Sequence, residues 1–248
     1  SGLLCMLFLL PAACKKEQTD PPLQTLHPYT LSYPNYVPMP NLSADNPLTE
    51  EGVALGRRLY YDPILSNDGR SCSSCHDPQK GFTDSIHNAL PHVNLAWNTH
   101  FLWNGGVEGN LDKAMHFEVN EFFHTDISKL QQHADYPALF RQAFGAESIT
   151  ETQVAFALSQ FIASLVSMDT RFDCYLKKQL MLSDAELRGF YIFNTERGDC
   201  FHCHSLGLMT DGQFHNNGLS STFSGVDQGR YNVTGLPADM GKFKTPSL

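Results

Sequence analysis

Apolar residues return at intervals of three and four along four stretches of the chain, and no stretch shows the alternation of a half-buried strand. The first stretch, "LTEEGVALGRRLYY", puts Leu55 and Leu59 on one face with Leu48 and Tyr60 near it, and Pro63 ends it. Asn46 and Pro47, just ahead, offer an N-cap and a first-turn proline. "YPALFRQAFG" reads as a short helix opened by Pro137 and closed by Gly145. Thr150 and Gln153 make a capping box for "ETQVAFALSQFIASLV", in which Val154, Leu158, Phe161 and Leu165 form one stripe. Ser183 and Glu186 make a second box for "DAELRGFYIFN". Between the first two helices, residues 94–104 are rich in aromatics (Trp97, Phe101, Trp103) and end in the turn "NGG". The pattern predicts a mainly helical protein.

The layout also repeats. A helix, a loop and then C-x-x-C-H occurs at residues 48–76 and again at 183–204, which predicts two related helical domains. The motifs are Cys72-Ser-Ser-Cys75-His76 and Cys200-Phe-His-Cys203-His204. This is the attachment pattern of c-type haem: two thiols add to the vinyl groups, and the next imidazole reaches the iron. Chance would supply on the order of 0.01 such matches in a chain of this composition, so two are a strong signal. A Cys₄ zinc site usually places its pairs about 15–20 residues apart and needs no trailing histidine. Here the pairs lie 128 residues apart. A thioredoxin-like dithiol would need one pair and a βαβ pattern, which is missing. In the haem reading Cys72, Cys75, Cys200 and Cys203 are thioether anchors, His76 and His204 are iron ligands, and His202 is a bystander.

Composition narrows the partners. The 248 residues carry a net charge of −9, and no basic stripe is available for nucleic acid. Hydrophobic residues make up 42% and charged ones 17%, as in an ordinary globular protein. Seven cysteines, an odd number with two close pairs, do not look like a disulfide framework, and Cys174 has no partner motif. At the start, Leu3–Leu10 is an apolar run too short to span a bilayer, followed by small residues and Cys14. "LPAAC" resembles a bacterial lipobox, whose cysteine becomes the lipidated first residue. Residues 1–14 are therefore expected to be the remnant of a signal. Residues 15–47 form a linker and irregular lead-in, and the protein is exported to the periplasm or cell envelope, touching the membrane only through a lipid anchor. Haem c is attached outside the bacterial cytoplasm, which agrees.

The segments "GRRLYYDPILSNDGRSCSSCHDPQKGFTD", "NLAWNTHFLWNGGVEGNLDKA", "YPALFRQAFG", "LSDAELRGFYIFNTERGDCFHCH", "DGQFHNNGL" and "GKFKTPSL", in this order, resemble the bacterial di-haem cytochrome c peroxidase family over about residues 48–248. The resemblance implies two cytochrome c-like domains, each with one covalently bound haem c. They are expected at residues 48–178, with the peroxidatic haem on His76, and at 179–248, with the electron-accepting haem on His204. It implies reduction of hydrogen peroxide to water with electrons from a small donor protein, a cytochrome c or a cupredoxin. It places Trp103 between the haems as a relay and Asn88 at the asparagine that binds calcium in the family. Members often dimerise, so a homodimer is compatible.

Three departures qualify the match. The interval "DPQKGFTDSI" is shorter than the family's by about a dozen residues. The loop carrying the displaceable distal histidine is therefore absent, and neither His87 nor His92 sits at its place. The first haem is accordingly expected to be five-coordinate at rest and to need no reductive activation. The family's distal Gln and Glu fall, counting from Leu111, on Ala114 and His124. His124 is then the acid/base candidate, with Glu121 and Glu118 as alternatives. Beyond "GKFKTPSL" the family continues with the second haem's distal ligand, so the sequence is expected to be a piece of a longer chain. Two rival functions remain open: oxidation of a partner protein, as in the methylamine-utilisation relatives, and electron transfer without peroxide chemistry.

Overall fold

The computed structural model describes residues 25–84, 86–145 and 147–248; the signal-like run and Cys14 lie outside them. The described chain is mainly helical. Helix α1 spans Glu50–Tyr61, α2 Leu111–Phe117, α3 Ile127–Gln132 and α4 Tyr136–Phe144. Helix α5 spans Glu151–Ala163, α6 Arg171–Leu176, α7 Asp184–Phe193 and α8 Tyr231–Thr234. Four strands of two residues each pair as antiparallel hairpins, β1 (His100–Phe101) with β2 (Val107–Glu108), and β3 (Phe214–His215) with β4 (Phe243–Lys244).

Helix α5 is the centre of the core. From Val154 to Ala163 all but one of its residues are buried, and its capping box is the one expected, Thr150 with Gln153. Helix α1 crosses it at unusually short range because two glycines face it. A Cβ on Gly56 would lie 1.8 Å from the Ala157 carbonyl oxygen, and one on Gly52 would lie 2.1 Å from Gln160 Oε1. The buried Gln160 side chain is itself a hub. Its Oε1 accepts from the Thr49 amide at 2.9 Å, and its Nε2 donates to Asn46 Oδ1 at 2.8 Å. Asn46 Nδ2 donates in turn to Asp112 Oδ1 at 2.7 Å, which ties α2 to the same crossing.

This network corrects one expectation. The N-cap of α1 is Thr49, whose hydroxyl accepts from the Gly52 amide, and not Asn46. The Asn46 amide is engaged by Gln160, 114 residues away, and cannot serve a local cap. The stripe on α5 also stops short: Ser164 ends the helix, and Leu165 lies just outside it, partly buried. The lead-in is irregular, and it packs on the core at Leu31, Tyr33 and Val37. Tyr29 donates its amide to the Leu48 carbonyl at 2.9 Å, Val37 is buried, and the Trp97 indole donates to the Pro38 carbonyl at 2.7 Å.

The contiguous core runs from Val37 to Met168, and the chain beyond is a series of short elements and loops docked on it. One docking point is the turn after β1. The Lys244 amide donates to the Trp103 carbonyl at 2.8 Å, and the Arg230 guanidinium donates to the Asn104 and Gly105 carbonyls at 3.2 and 2.9 Å. Arg230 also lies 4.2 Å above the Phe214 ring. Gly105 is required here: it has φ +70°, and a Cβ would lie 2.3 Å from Phe214.

Because the carbonyl that a Gly56 side chain would strike is main chain and cannot swing away, Gly56→Ala is expected to destabilise the protein by about 3 kcal/mol. Urea denaturation measures it.

Candidate functional site

The two C-x-x-C-H motifs adopt one backbone geometry. In the first, the Cys75 amide donates to the Cys72 carbonyl at 3.2 Å and the His76 amide to the same oxygen at 3.0 Å. In the second, Cys203 and His204 repeat this on the Cys200 carbonyl at 3.3 and 2.9 Å. Each imidazole is oriented alike: His76 Nδ1 lies 3.0 Å from the Phe82 carbonyl oxygen, and His204 Nδ1 lies 2.9 Å from that of Met209. A proton on Nδ1 directed at a carbonyl leaves Nε2 as the lone-pair nitrogen, the tautomer a metal ligand needs. Both accepting residues are strained, Phe82 with φ 62° and Met209 with φ 53°. Neither is glycine, and the left-handed conformation is what turns each carbonyl towards its histidine.

A cavity of roughly 460 Å³ adjoins the first motif. Cys72, Cys75 and His76 line it, with Ala114, Met115 and Glu118 from α2 and its extension, and Trp103 and Asn88 from the loops. Leu208, Thr210 and Lys244 of the C-terminal part also line it, so both motif regions meet there. The thiols are not paired as disulfides. Burial pushes the Cys72, Cys75 and Cys203 thiols up, Cys72 most of all, so they stay protonated near neutral pH. Burial also holds His76 below the ordinary histidine value, hence neutral.

Glu118 is where the structure departs most from the helical reading. Helix α2 does not end at Phe117 but continues as one π-helical turn, Glu118–Phe122, closed by the Phe123 amide donating to the Glu118 carbonyl at 2.8 Å. π-Turns of this kind occur often at functional sites. Glu118, one turn beyond Ala114, lines the cavity, and it supplies the only carboxylate among the described lining residues. Burial alone pushes its carboxyl up to about 7. Glu121 and His124, the other two acid/base candidates, are exposed and do not line the cavity; His124 has φ 46° and only its carbonyl is engaged, by Asn67.

The remaining expected residues are placed as follows. The Trp103 indole donates to the Asn88 carbonyl at 2.8 Å, so these two are neighbours. Cys200, Cys203 and His204 do not line the cavity, although the loop that follows them does. His202 is exposed beside Asp199 and Glu196. Two residues that sequence reasoning left without a role also belong to the site. Lys244 is 5% exposed, and no ion pair holds its ammonium among the described residues; burial lowers its affinity for a proton. His92 stacks on His76. Neither carries a signal in periodicity or spacing.

The pattern that defines the family described as di-haem cytochrome c peroxidase matches residues 50–180. The chain belongs to this family. It is 34% identical to the methylamine utilization protein MauG of Methylorubrum extorquens over 87% of the chain and 65% of the relative. It is 31% identical to the cytochrome-c peroxidase IdrP2 of Denitromonas iodatirespirans over 79% of the chain and 66% of that protein. The chain thus spans about two thirds of the length of these curated relatives. Among solved structures, a MauG-like protein associated with microbial copper homeostasis aligns with a TM-score of 0.79 at 30% identity, covering 88% of the chain and 75% of that protein. The diheme peroxidase BthA from Burkholderia thailandensis shares the fold, with a TM-score of 0.65 at 19% identity over 91% of the chain and 71% of BthA. No described helix is long and apolar enough to cross a membrane.

The residues present fit the cofactor the family implies. Two thiols and an imidazole with a committed Nδ1 border an apolar cavity, and the Lys244 ammonium on its wall, in no ion pair among the described residues, suits a group bearing carboxylates. Calcium is a different matter. The described lining residues offer it one carboxylate, Glu118, besides the amide of Asn88.

Glu118 should leave a mark on stability. Its raised value means the folded protein keeps a proton that the unfolded chain has lost, so stability falls as pH rises from about 4.5 to about 7. Glu118→Gln removes that penalty: its advantage over the parent should be absent at pH 4 and reach about 3 kcal/mol above pH 7. Urea titrations of the haem-loaded protein at pH 4, 6 and 8 measure it.

Proposed function

We propose that the protein reduces hydrogen peroxide to water at the cavity beside Cys72, Cys75 and His76, using electrons from a small donor protein. The observation that carries this reading is the half-buried Glu118 carboxyl on the wall of that cavity, raised by desolvation. One haem c would be held by Cys72 and Cys75 with His76 as iron ligand, and a second by Cys200, Cys203 and His204. Haem c, when bound, supplies an iron able to pass electrons to peroxide.

The chain's own residues do the rest. Breaking the O–O bond consumes two electrons and two protons, and the first proton must move from one peroxide oxygen to the other. Glu118, titrating near 7, can take that proton as a carboxylate and return it as an acid. It replaces His124 and Glu121 in that role. Ala114 leaves the space beside it open, and Met115, Phe123 and Ile162 keep the wall apolar, which strengthens the field of its single carboxylate. Trp103 would relay electrons from the second motif: its carbonyl accepts from Lys244, and its indole reaches Asn88 on the cavity wall. Lys244 would face a haem carboxylate. An exported location with a lipid anchor at Cys14 is supported by the signal-like start and by haem c attachment outside the cytoplasm.

A second reading, oxidation of a partner protein, is favoured by one observation: the MauG relatives, at 34% and 33% identity, match better than the peroxidases, at 26–31%.

Steady-state peroxide consumption with reduced cytochrome c separates the readings. The parent should turn over, with kcat/KM rising as pH passes through about 7, because the ionised Glu118 is the base. Glu118→Gln should retain two haems by the pyridine haemochrome assay, lose roughly 10²–10⁴-fold in kcat/KM and lose the inflection. Full activity in Glu118→Gln would overturn its role. A parent that consumes peroxide only once per molecule with donor present would favour partner oxidation.

A further inference from the structure

We propose that His92 is a positioning residue that fixes the orientation of the His76 imidazole. The inference rests on His76 being an iron ligand, and the test below separates the two.

The rings of His76 and His92 lie face to face, with centroids 3.4 Å apart and planes inclined by 19°. Two clasps hold the pair in register. On one side the Tyr60 hydroxyl lies 3.1 Å from His92 Nδ1 and donates to the His76 carbonyl at 3.4 Å. On the other, the Phe82 carbonyl lies 3.0 Å from His76 Nδ1 and accepts the His92 amide at 3.3 Å. Each clasp therefore touches both histidines, once through a ring and once through the main chain.

The clasps are anchored in the rigid part of the molecule. Tyr60 has no exposed surface, belongs to α1, and packs edge-on against Phe161 of α5 with centroids 5.1 Å apart. The plane of the imidazole is thus referred to the α1–α5 crossing. A ligand bound through one nitrogen is free to turn about that bond unless something fixes its plane, and the plane sets both the ligand-field asymmetry and the donor strength at the metal. A single hydrogen bond at Nδ1 limits this rotation, and a stacked ring restricts it further. His204 has the first device, through Met209, but among the described residues no ring stacks on it. The second site is therefore an internal control.

The experiment uses the full chain loaded with haem. The pyridine haemochrome assay must first give two haems per chain; fewer would overturn the ligand reading itself. Electron paramagnetic resonance of the oxidised protein and a potentiometric titration are then compared across variants. His92→Leu, which removes the stacking ring, should shift the g-values and midpoint potential of one haem and leave the other at parental values. His92→Phe, which restores a flat ring, should return the g-values towards the parent, as loss of packing volume alone would not. Tyr60→Phe, an isosteric change, should give a smaller shift of the same haem. Parental g-values and potentials in a two-haem His92→Leu protein would overturn the proposal. If that variant does not hold two haems, parental spectra in Tyr60→Phe overturn it instead. A His76→Gly variant that keeps an imidazole-ligated haem at this site would also overturn it, because His92 would then be a ligand.

Discussion

The close crossing of α1 and α5 is the constraint on which the rest of the site depends. Two glycines let the helices meet at a distance that no side chain would permit, and Gln160 fills the polar gap with bonds to Thr49 and Asn46. A buried amide so fully engaged is costly to displace, because each lost partner leaves a desolvated group behind. Its reach matters more than its strength. Through Asn46 and Asp112 it locates α2, and through the end of α1 it locates Tyr60. These two elements flank the cavity, one carrying Glu118 and the other backing His76 and His92. Precision at the site is therefore inherited from a contact remote from it.

The two motifs show how local and tertiary forces divide the work. The turn from first cysteine to histidine is a short-range structure, and the same two hydrogen bonds close it in both copies. Orientation of the imidazole needs one more residue, and in both copies the chain accepts left-handed backbone at a non-glycine, Phe82 or Met209, to provide the carbonyl. Such residues cost on the order of 1–3 kcal/mol each and persist only where the surroundings fix them. Repetition of the same strain beside both histidines, at residues 127 apart in sequence, argues that it serves them.

What could be read from the sequence follows the same division. Capping boxes at Thr150–Gln153 and Ser183–Glu186, the glycine at 145 and both C-x-x-C-H motifs were legible because the determining residues lie within a few positions of one another. Asn46 misled because two good cap residues, Asn46 and Thr49, stood three apart, and a glutamine from α5 decided between them. Glu118 ranks behind His124 in the sequence because His124 falls on the family's position when residues are counted from Leu111. The π-turn changes the angular step and leaves His124 at the surface. The roles of Lys244 and His92 come from tertiary contact alone, and no spacing rule would have found either.

The surroundings of the two motifs finally bear on how labour is shared between them. Cys72 is buried and His76 sits behind a wall of α2 residues, whereas Cys200 and Cys203 are half-buried and His202 between them is exposed. Chemistry that moves protons profits from an enclosed, weakly polar setting, where one carboxyl can be tuned over several pH units. Exchange of electrons with another protein profits instead from a site near the surface, which shortens the distance without requiring a channel. Lys244, through its amide, and Arg230, through its guanidinium, tie the C-terminal part to the Trp103 turn on the cavity wall. A change at that turn would therefore be felt on both sides of it.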